Sequence, residues 1–110
     1  MSKALNFNNL KKRYLSVTLP DEKQTVLLVT TPKKEVLDYL IAMKDNLSED
    51  DMDESVLDEM YDICAKILSR NKTGHTITKD EVEDLFDFED VIIFIKAYTD
   101  FIGEITNSKN

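Results

Sequence analysis

The apolar residues between Met52 and Leu68 recur with the period of an α-helix, and this pattern constrains the fold more than any other feature of the chain. On a helical wheel they fall within about 160°. The residues are Met52, Val56, Leu57, Met60, Ile63, Cys64, Ile67 and Leu68. Arg70 near the end and Gly74 just beyond it are typical of a helix C-terminus. This segment predicts one long amphipathic helix that buries one face.

The N-terminal part carries a different pattern, which favours β-structure. Residues 15 to 19 alternate between apolar and polar side chains, the signature of a half-buried strand. Pro20 and Asp21 supply turn chemistry, and residues 24 to 30 are rich in strand formers. The sequence therefore predicts a β-hairpin. Residues 4 to 7 could add a short third strand.

Two helix starts flank the acidic middle of the chain. Thr31 followed by Pro32 predicts a cap and a first helical residue, with the helix running to about Lys44. Ser48 with Asp51 resembles a capping box that would open the long helix from Met52. The surrounding carboxylates favour the positive end of that helix.

Two further helices are predicted near the C-terminus. Thr78 with Glu81 forms a capping box, and Asp87 with Asp90 can start a last helix that reaches about Ile105. The apolar residues of this last helix cover about 220° of the wheel, beyond the roughly 100° that packing on a core requires. We expect either that this helix lies centrally among the others or that its spare flank is covered by another molecule.

These patterns together predict an α+β fold, an N-terminal hairpin packed against about four α-helices. At 110 residues the chain suits one domain. We expect a basic N-terminus and hairpin over 1–30, an acidic helical part over 31–105 and a frayed tail over 106–110.

Charge and hydropathy narrow the class of protein. The net charge is −8, with eight Lys or Arg against four Asp or Glu in residues 1–44 and six against eighteen thereafter. This balance argues against nucleic-acid binding over most of the surface. The longest apolar run, Val91 to Ile95, is far short of the roughly 20 residues of a membrane span. A single cysteine and no secretory signal indicate a reducing compartment, so we expect a cytoplasmic protein.

The sequence offers no catalytic, cofactor or metal constellation. An EF-hand register on Gly74 would place Ser69 first and Asp80 twelfth, so its carboxylates fail the calcium pattern. Cys64 lies on the apolar arc and is expected to be buried and inert. His75 has no second histidine to complete a metal set. We therefore expect a non-enzymatic protein without cofactor or metal.

Two segments resemble the small tail assembly chaperones of long-tailed bacteriophages and prophages. They are FNNLKKRYLSVTLPDEKQTVLLVTTPKKEVLDYL at 7–40 and FEDVIIFIKAYTDFIGEI at 88–105. The resemblance implies a cytoplasmic helper that binds the tape-measure protein and keeps it soluble while tail subunits polymerise. Tail-tube protein is a further candidate partner. Such helpers are absent from the finished virion and often have a longer, frameshifted product.

We predict a client-binding or self-association surface on the last helix, with two methionines nearby. Its residues are Val91, Phe94, Ile95, Tyr98, Phe101, Ile102, Met52 and Met60. Client helices would use the helix-in-groove mode, and the open hairpin edge could pair with a second copy or with tail protein.

Another class of binding protein also fits the composition. A DNA mimic would present the carboxylates of residues 49–62 and 80–90 to a basic groove, and another small phage structural adaptor would share the same style of sequence. Salt separates the mimic from the chaperone, because affinity between exposed charges falls as ionic strength rises.

Overall fold

The predicted α+β class is confirmed by a computed structural model that describes residues 5–7, 12–44 and 53–107. The hairpin consists of β1 (Leu15–Thr18) and β2 (Val26–Val29). Within the described ranges four helices follow: α1 (Lys34–Lys44), α2 (Glu54–Ser69), α3 (Lys79–Leu85) and α4 (Phe88–Asn107). Within the described ranges, no helix combines the length and hydropathy that a bilayer crossing requires.

The hairpin is antiparallel, with Leu15 opposite Val29. Its turn is closed by Asp21, whose carboxylate accepts hydrogen bonds from the Thr25 backbone N–H (2.9 Å) and hydroxyl (2.7 Å). These bonds stabilise the carboxylate and lower the pKa of Asp21. The expected third strand is not found in the part of it that is described, residues 5–7, and Ala4 lies outside the described residues.

The loop after α2 covers the outer edge of β2, a contact that the local sequence pattern did not predict. Thr30 N–H donates to the Arg70 carbonyl at 2.8 Å, and Lys72 N–H donates to the Leu28 carbonyl at 2.9 Å. An isolated bridge joins Val29 to Asn71. Long-range hydrogen bonds therefore anchor the loop to the sheet.

Helix α1 begins later than the Thr31–Pro32 pattern predicted. The Arg70 side chain donates from Nε to the Thr31 carbonyl at 3.0 Å, which holds this segment outside the helix. The first helical bond runs instead from Leu37 N–H to the Lys33 carbonyl (3.0 Å). The predicted start was therefore wrong, because a distant side chain engages the residue expected to cap the helix.

Helix α2 also starts late, at Glu54 and not at Met52. Its N-cap is Asp53, whose carboxylate accepts from Val56 N–H at 2.9 Å. Such a cap satisfies one of the free donors of the first turn. The expected start signal, Ser48 with Asp51, lies outside the described residues.

The two C-terminal helix starts are confirmed. Thr78 and Glu81 form a reciprocal capping box. Asp87 accepts from Asp90 N–H at 2.8 Å, and Asp90 accepts from Asp87 N–H at 3.0 Å. Helix α4 reaches Asn107, so the first residues of the expected frayed tail are helical; 108–110 lie outside the described residues.

One hydrophobic cluster receives side chains from the hairpin and from all four helices. Leu27 and Val29 point into it from β2, while Val26 and Leu28 lie on the exposed face of the hairpin. Helix α2 contributes the largest buried set: Met60, Ile63, Cys64, Ala65, Ile67 and Leu68. The predicted amphipathic face of this helix is therefore its core face.

Candidate functional site

Most residues predicted to form a partner surface lie in the core. The buried ones are Val91, Phe94, Ile95, Tyr98, Phe101 and Met60. Ile102 is partly buried, and Met52 lies outside the described residues. Packing inside the protein covers most of these six side chains, so in the folded state they offer little area to a partner.

Helix α2, the ring of Phe86 and the segment after the hairpin contact α4. The rings of Phe86, Phe94, Tyr98 and Phe101 form a continuous column with centroid separations of 6.2, 6.0 and 6.0 Å. The Tyr98 hydroxyl donates to the Thr30 carbonyl at 2.7 Å, which ties α4 to the chain after the hairpin. Burial raises the pKa of Tyr98 above its ordinary value. The column is structural, since packing and a hydrogen bond account for its members.

Other apolar side chains are exposed near α4. Ile93 on α4 is 60% exposed and Ile41 on α1 is 61% exposed. The sequence reasoning missed both positions. Ile93 carries a signal that could have found it, because it lies on the side of the helical wheel away from Val91 and Tyr98. An isoleucine at such a position is a candidate for contact with a partner.

An open groove of about 730 Å³ runs between α1 and the C-terminal half of α4. Its lining consists of Leu37, Leu40, Ile41, Thr99, Asp100, Ile102, Gly103 and Glu104. Leu40 is buried, and Leu37 and Ile102 are partly buried, so they give the groove an apolar floor. The exposed carboxylates of Asp100 and Glu104 lie on α4 beside it. The groove therefore combines an apolar floor with negative charge.

Gly103 leaves part of the α4 wall of this groove without a side chain. A Cβ atom added at this position would meet no heavy atom within 4 Å, so packing inside the protein does not require glycine here. Glycine within a helix costs about 1 kcal/mol relative to alanine. Its presence allows another chain to approach the α4 backbone closely.

A smaller groove of about 320 Å³ lies between β1 and the N-terminal half of α4. Its lining consists of Leu15, Ser16, Val17, Thr18, Pro20, Phe86, Asp90, Ile93, Phe94 and Ala97. The exposed Ile93 belongs to this groove, whereas Ile41 belongs to the larger one. The two grooves thus use different halves of the same helix.

A third cleft, between α1 and α2, contains charged side chains that are already paired. The Lys66 ammonium lies 3.1 Å from Glu35 and 3.6 Å from Asp62. Lys79 lies 3.1 Å from Asp58. The hydrogen bond to Glu35 is the main cause of the raised pKa of Lys66. These ion pairs engage Lys66 and Lys79, and the Arg70 guanidinium in the same lining donates to the Thr31 carbonyl, so the cleft is a weak candidate for an anion site.

The described residues offer little chemistry for a metal or a nucleophile. Among them, no group of three His, Cys, Asp or Glu is placed to hold a metal ion. Cys64 is fully buried, and burial raises the pKa of its thiol to about 12. Asn71 fixes the loop between α2 and α3, since its Nδ2 donates to the carbonyls of Leu68 (2.8 Å) and His75 (2.7 Å).

No protein-family model, curated protein or solved structure matches this chain. The grooves on either half of α4 and the charge around them are therefore the features from which a function can be inferred.

Proposed function

We propose that this protein is a non-catalytic tail assembly chaperone of a long-tailed bacteriophage or prophage, and that its client is the tape-measure protein. One observation carries the proposal: the open apolar groove between α1 and α4. The identity of the client rests on the resemblance of segments 7–40 and 88–105 to such chaperones. We also propose that the protein acts in the bacterial cytoplasm, with tail-tube protein as a second partner.

The shape and polarity of the groove suit an amphipathic helix. Helix-in-groove recognition lays an apolar stripe of the ligand on an apolar floor, and Leu37, Leu40 and Ile102 provide such a floor. Ile41 is still 61% exposed, and covering an apolar side chain of this size contributes up to about 2 kcal/mol. The open wall at Gly103 admits a closely packed helix.

Charge further defines the client segment. Asp100 and Glu104 favour Lys or Arg beside the apolar stripe of the ligand, and complementary charge adds specificity and speeds association. A client helix bound here would hide the stripe that otherwise drives aggregation. The net charge of −8 would keep the loaded complex in solution.

Co-expression with a tape-measure protein tests the proposal. The client is the long, helix-rich protein that we expect the adjacent reading frame to encode, and its soluble fraction is measured after centrifugation. Ile41→Lys places a charge in the α1–α4 groove, and Ile93→Lys makes the same change at an equally exposed helical site outside it. Lysine suits helices, so both variants should fold.

We expect the wild type and Ile93→Lys to keep the client soluble, and Ile41→Lys to lower its soluble fraction several-fold. Circular dichroism confirms that each variant is folded. The proposal is overturned if wild-type protein leaves the client insoluble. It is equally overturned if Ile41→Lys performs as well as Ile93→Lys.

A further inference from the structure

The outer edge of β1 offers backbone hydrogen-bonding groups to another strand. Leu19 N–H donates to the Thr25 carbonyl at 2.8 Å, which fixes the phase of the antiparallel ladder. Since hydrogen-bonded pairs alternate along the ladder, the backbone groups of Ser16 and Thr18 point away from β2. Residues 70–72 cover the outer edge of β2, whereas no strand within the described residues pairs with the outer edge of β1.

An apolar groove lies directly beside this edge. Val17 is partly buried and faces the core side of the sheet, and Ile93 and Ala97 are exposed on α4 across the groove. A strand added to β1 would lie over this groove and place alternate side chains against Ile93. The edge and the groove therefore form one continuous surface.

The charges at the two ends of β1 are opposite. Lys12 and Arg13 precede the strand, and Asp21, Glu22 and Lys23 lie in the turn after it, where two carboxylates outnumber one ammonium. A second copy of β1 added antiparallel would bring its basic end to the acidic turn of the first, twice by symmetry. A parallel addition would oppose like charges. The charges that flank β1 in one copy therefore complement those that flank β1 in a second copy added antiparallel.

We propose that two copies of this chain pair antiparallel through their β1 edges and form a four-stranded sheet. The two-fold axis places both hydrophobic cores on the same side of the four-stranded sheet, so residues opposite each other across the axis must point to the same face of the sheet. Pairing Val17 with Val17 of the second copy meets this condition. Ser16 then lies opposite Thr18 of the second copy, and their outward backbone groups form four hydrogen bonds in all. Ile93 of each copy is covered in the dimer.

This register also aligns the charges. Continued beyond the ends of β1, this register brings Arg13 near Asp21 of the second copy and Lys12 near its Glu22. Within one protomer, Lys12 and Glu22 lie at opposite ends of β1, roughly 20 Å or more apart at about 3.3 Å per residue. A contact between these two side chains therefore reports pairing between copies. The dimer does not depend on the proposed client groove, which uses the other half of α4.

A charge swap tests both the dimer and its register. The full chain is purified without client, and its dimer dissociation constant is measured by sedimentation equilibrium at low salt. Lys12→Glu and Glu22→Lys should each weaken the dimer by about threefold or more. The double variant, Lys12→Glu with Glu22→Lys, should return to within about twofold of the wild type. Failure of this rescue overturns the proposed register.

Two further variants test the strand edge and the groove beside it. Ser16→Pro removes an outward N–H without removing a bond to β2, and proline protects natural strand edges in this way. It should weaken the dimer at least tenfold while the thermal transition of the fold persists. Ile93→Lys should weaken the dimer yet still solubilise the tape-measure client. Should Ser16→Pro fail to fold, Ile93→Lys supplies the same test.

Some outcomes reject the dimer outright. A wild-type chain that stays monomeric at 100 μM and above would overturn the proposal. So would a dimer whose dissociation constant is unchanged by Ile93→Lys and by the single charge changes. Neither result tests the α1–α4 groove, because that groove is tested separately by the solubility of the client.

Discussion

The hydroxyl of Tyr98 donates a hydrogen bond that joins α4 to the segment following the hairpin. Because Tyr98 is fully buried, Tyr98→Phe leaves the Thr30 carbonyl without this donor. We expect the free energy of unfolding to fall by about 1 to 2 kcal/mol. Urea denaturation measures the change. Tyr14→Phe is the control, since Tyr14 is 37% exposed and should shift stability by less than about 0.5 kcal/mol. Equal effects of the two substitutions would contradict this role.

Cys64 makes the stability of the fold sensitive to alkaline pH. Burial raises the pKa of its thiol from 9.0 to about 12, so the unfolded chain releases this proton first as pH rises. The free energy of unfolding should therefore fall between pH 9 and 12, by up to about 1.4 kcal/mol per pH unit from this group. Below pH 9 the contribution is fully present.

Cys64→Ala tests this linkage. The variant is less stable at pH 8 because it leaves a cavity, but its stability should decline less steeply between pH 8 and pH 10.5 than that of the wild type. Urea denaturation at both pH values gives the two slopes. Parallel declines would show that Cys64 does not carry the effect.

At the scale of single elements, local signals predicted those starts that depend only on neighbouring residues. The Thr78–Glu81 capping box and the Asp87–Asp90 pair act within four residues, and both are found as predicted. The start of α1 was wrong because Arg70, far along the chain, binds the Thr31 carbonyl. A contact between residues so far apart in the chain cannot be predicted from a local sequence pattern.

The candidate site was predicted only in outline. The wide apolar arc of α4 indicated that one flank would be left over, but the exposed Ile93 lies on the opposite side of the wheel and did not belong to that arc. Periodicity could not tell which apolar residues the hairpin and α2 would cover, so the buried Phe94 and Phe101 were assigned to the surface. Ile41 was missed because the groove beside it depends on how α1 packs near α4.

The two glycines should respond in opposite ways to alanine. At Gly103 an added Cβ meets no heavy atom within 4 Å, so Gly103→Ala should raise the free energy of unfolding by about 1 kcal/mol through helix propensity. Gly74 has a φ of +74°, where alanine is strained, so Gly74→Ala should lower it by about 1 kcal/mol. Thermal denaturation of both variants measures the difference. Destabilisation by Gly103→Ala would show that α4 needs glycine for its own packing.

At the scale of the whole molecule, the charge of −8 allows two classes of binding protein, and salt separates them. A client held by the apolar floor of the α1–α4 groove should lose less than about tenfold in affinity between 50 and 500 mM NaCl, because only its rim is charged. A DNA mimic bound through surface carboxylates should lose several orders of magnitude. Fluorescence anisotropy with a labelled tape-measure segment gives both affinities. A collapse at high salt would favour the mimic.

Chemical-shift mapping with the same tape-measure segment tests the central claim most directly. The claim predicts amide shifts at residues 37–41 and 99–104 as the segment is added to labelled protein, and loss of these shifts in Ile41→Lys. Shifts confined to the carboxylate-rich surface of α2, with the α1–α4 groove unchanged, would contradict it.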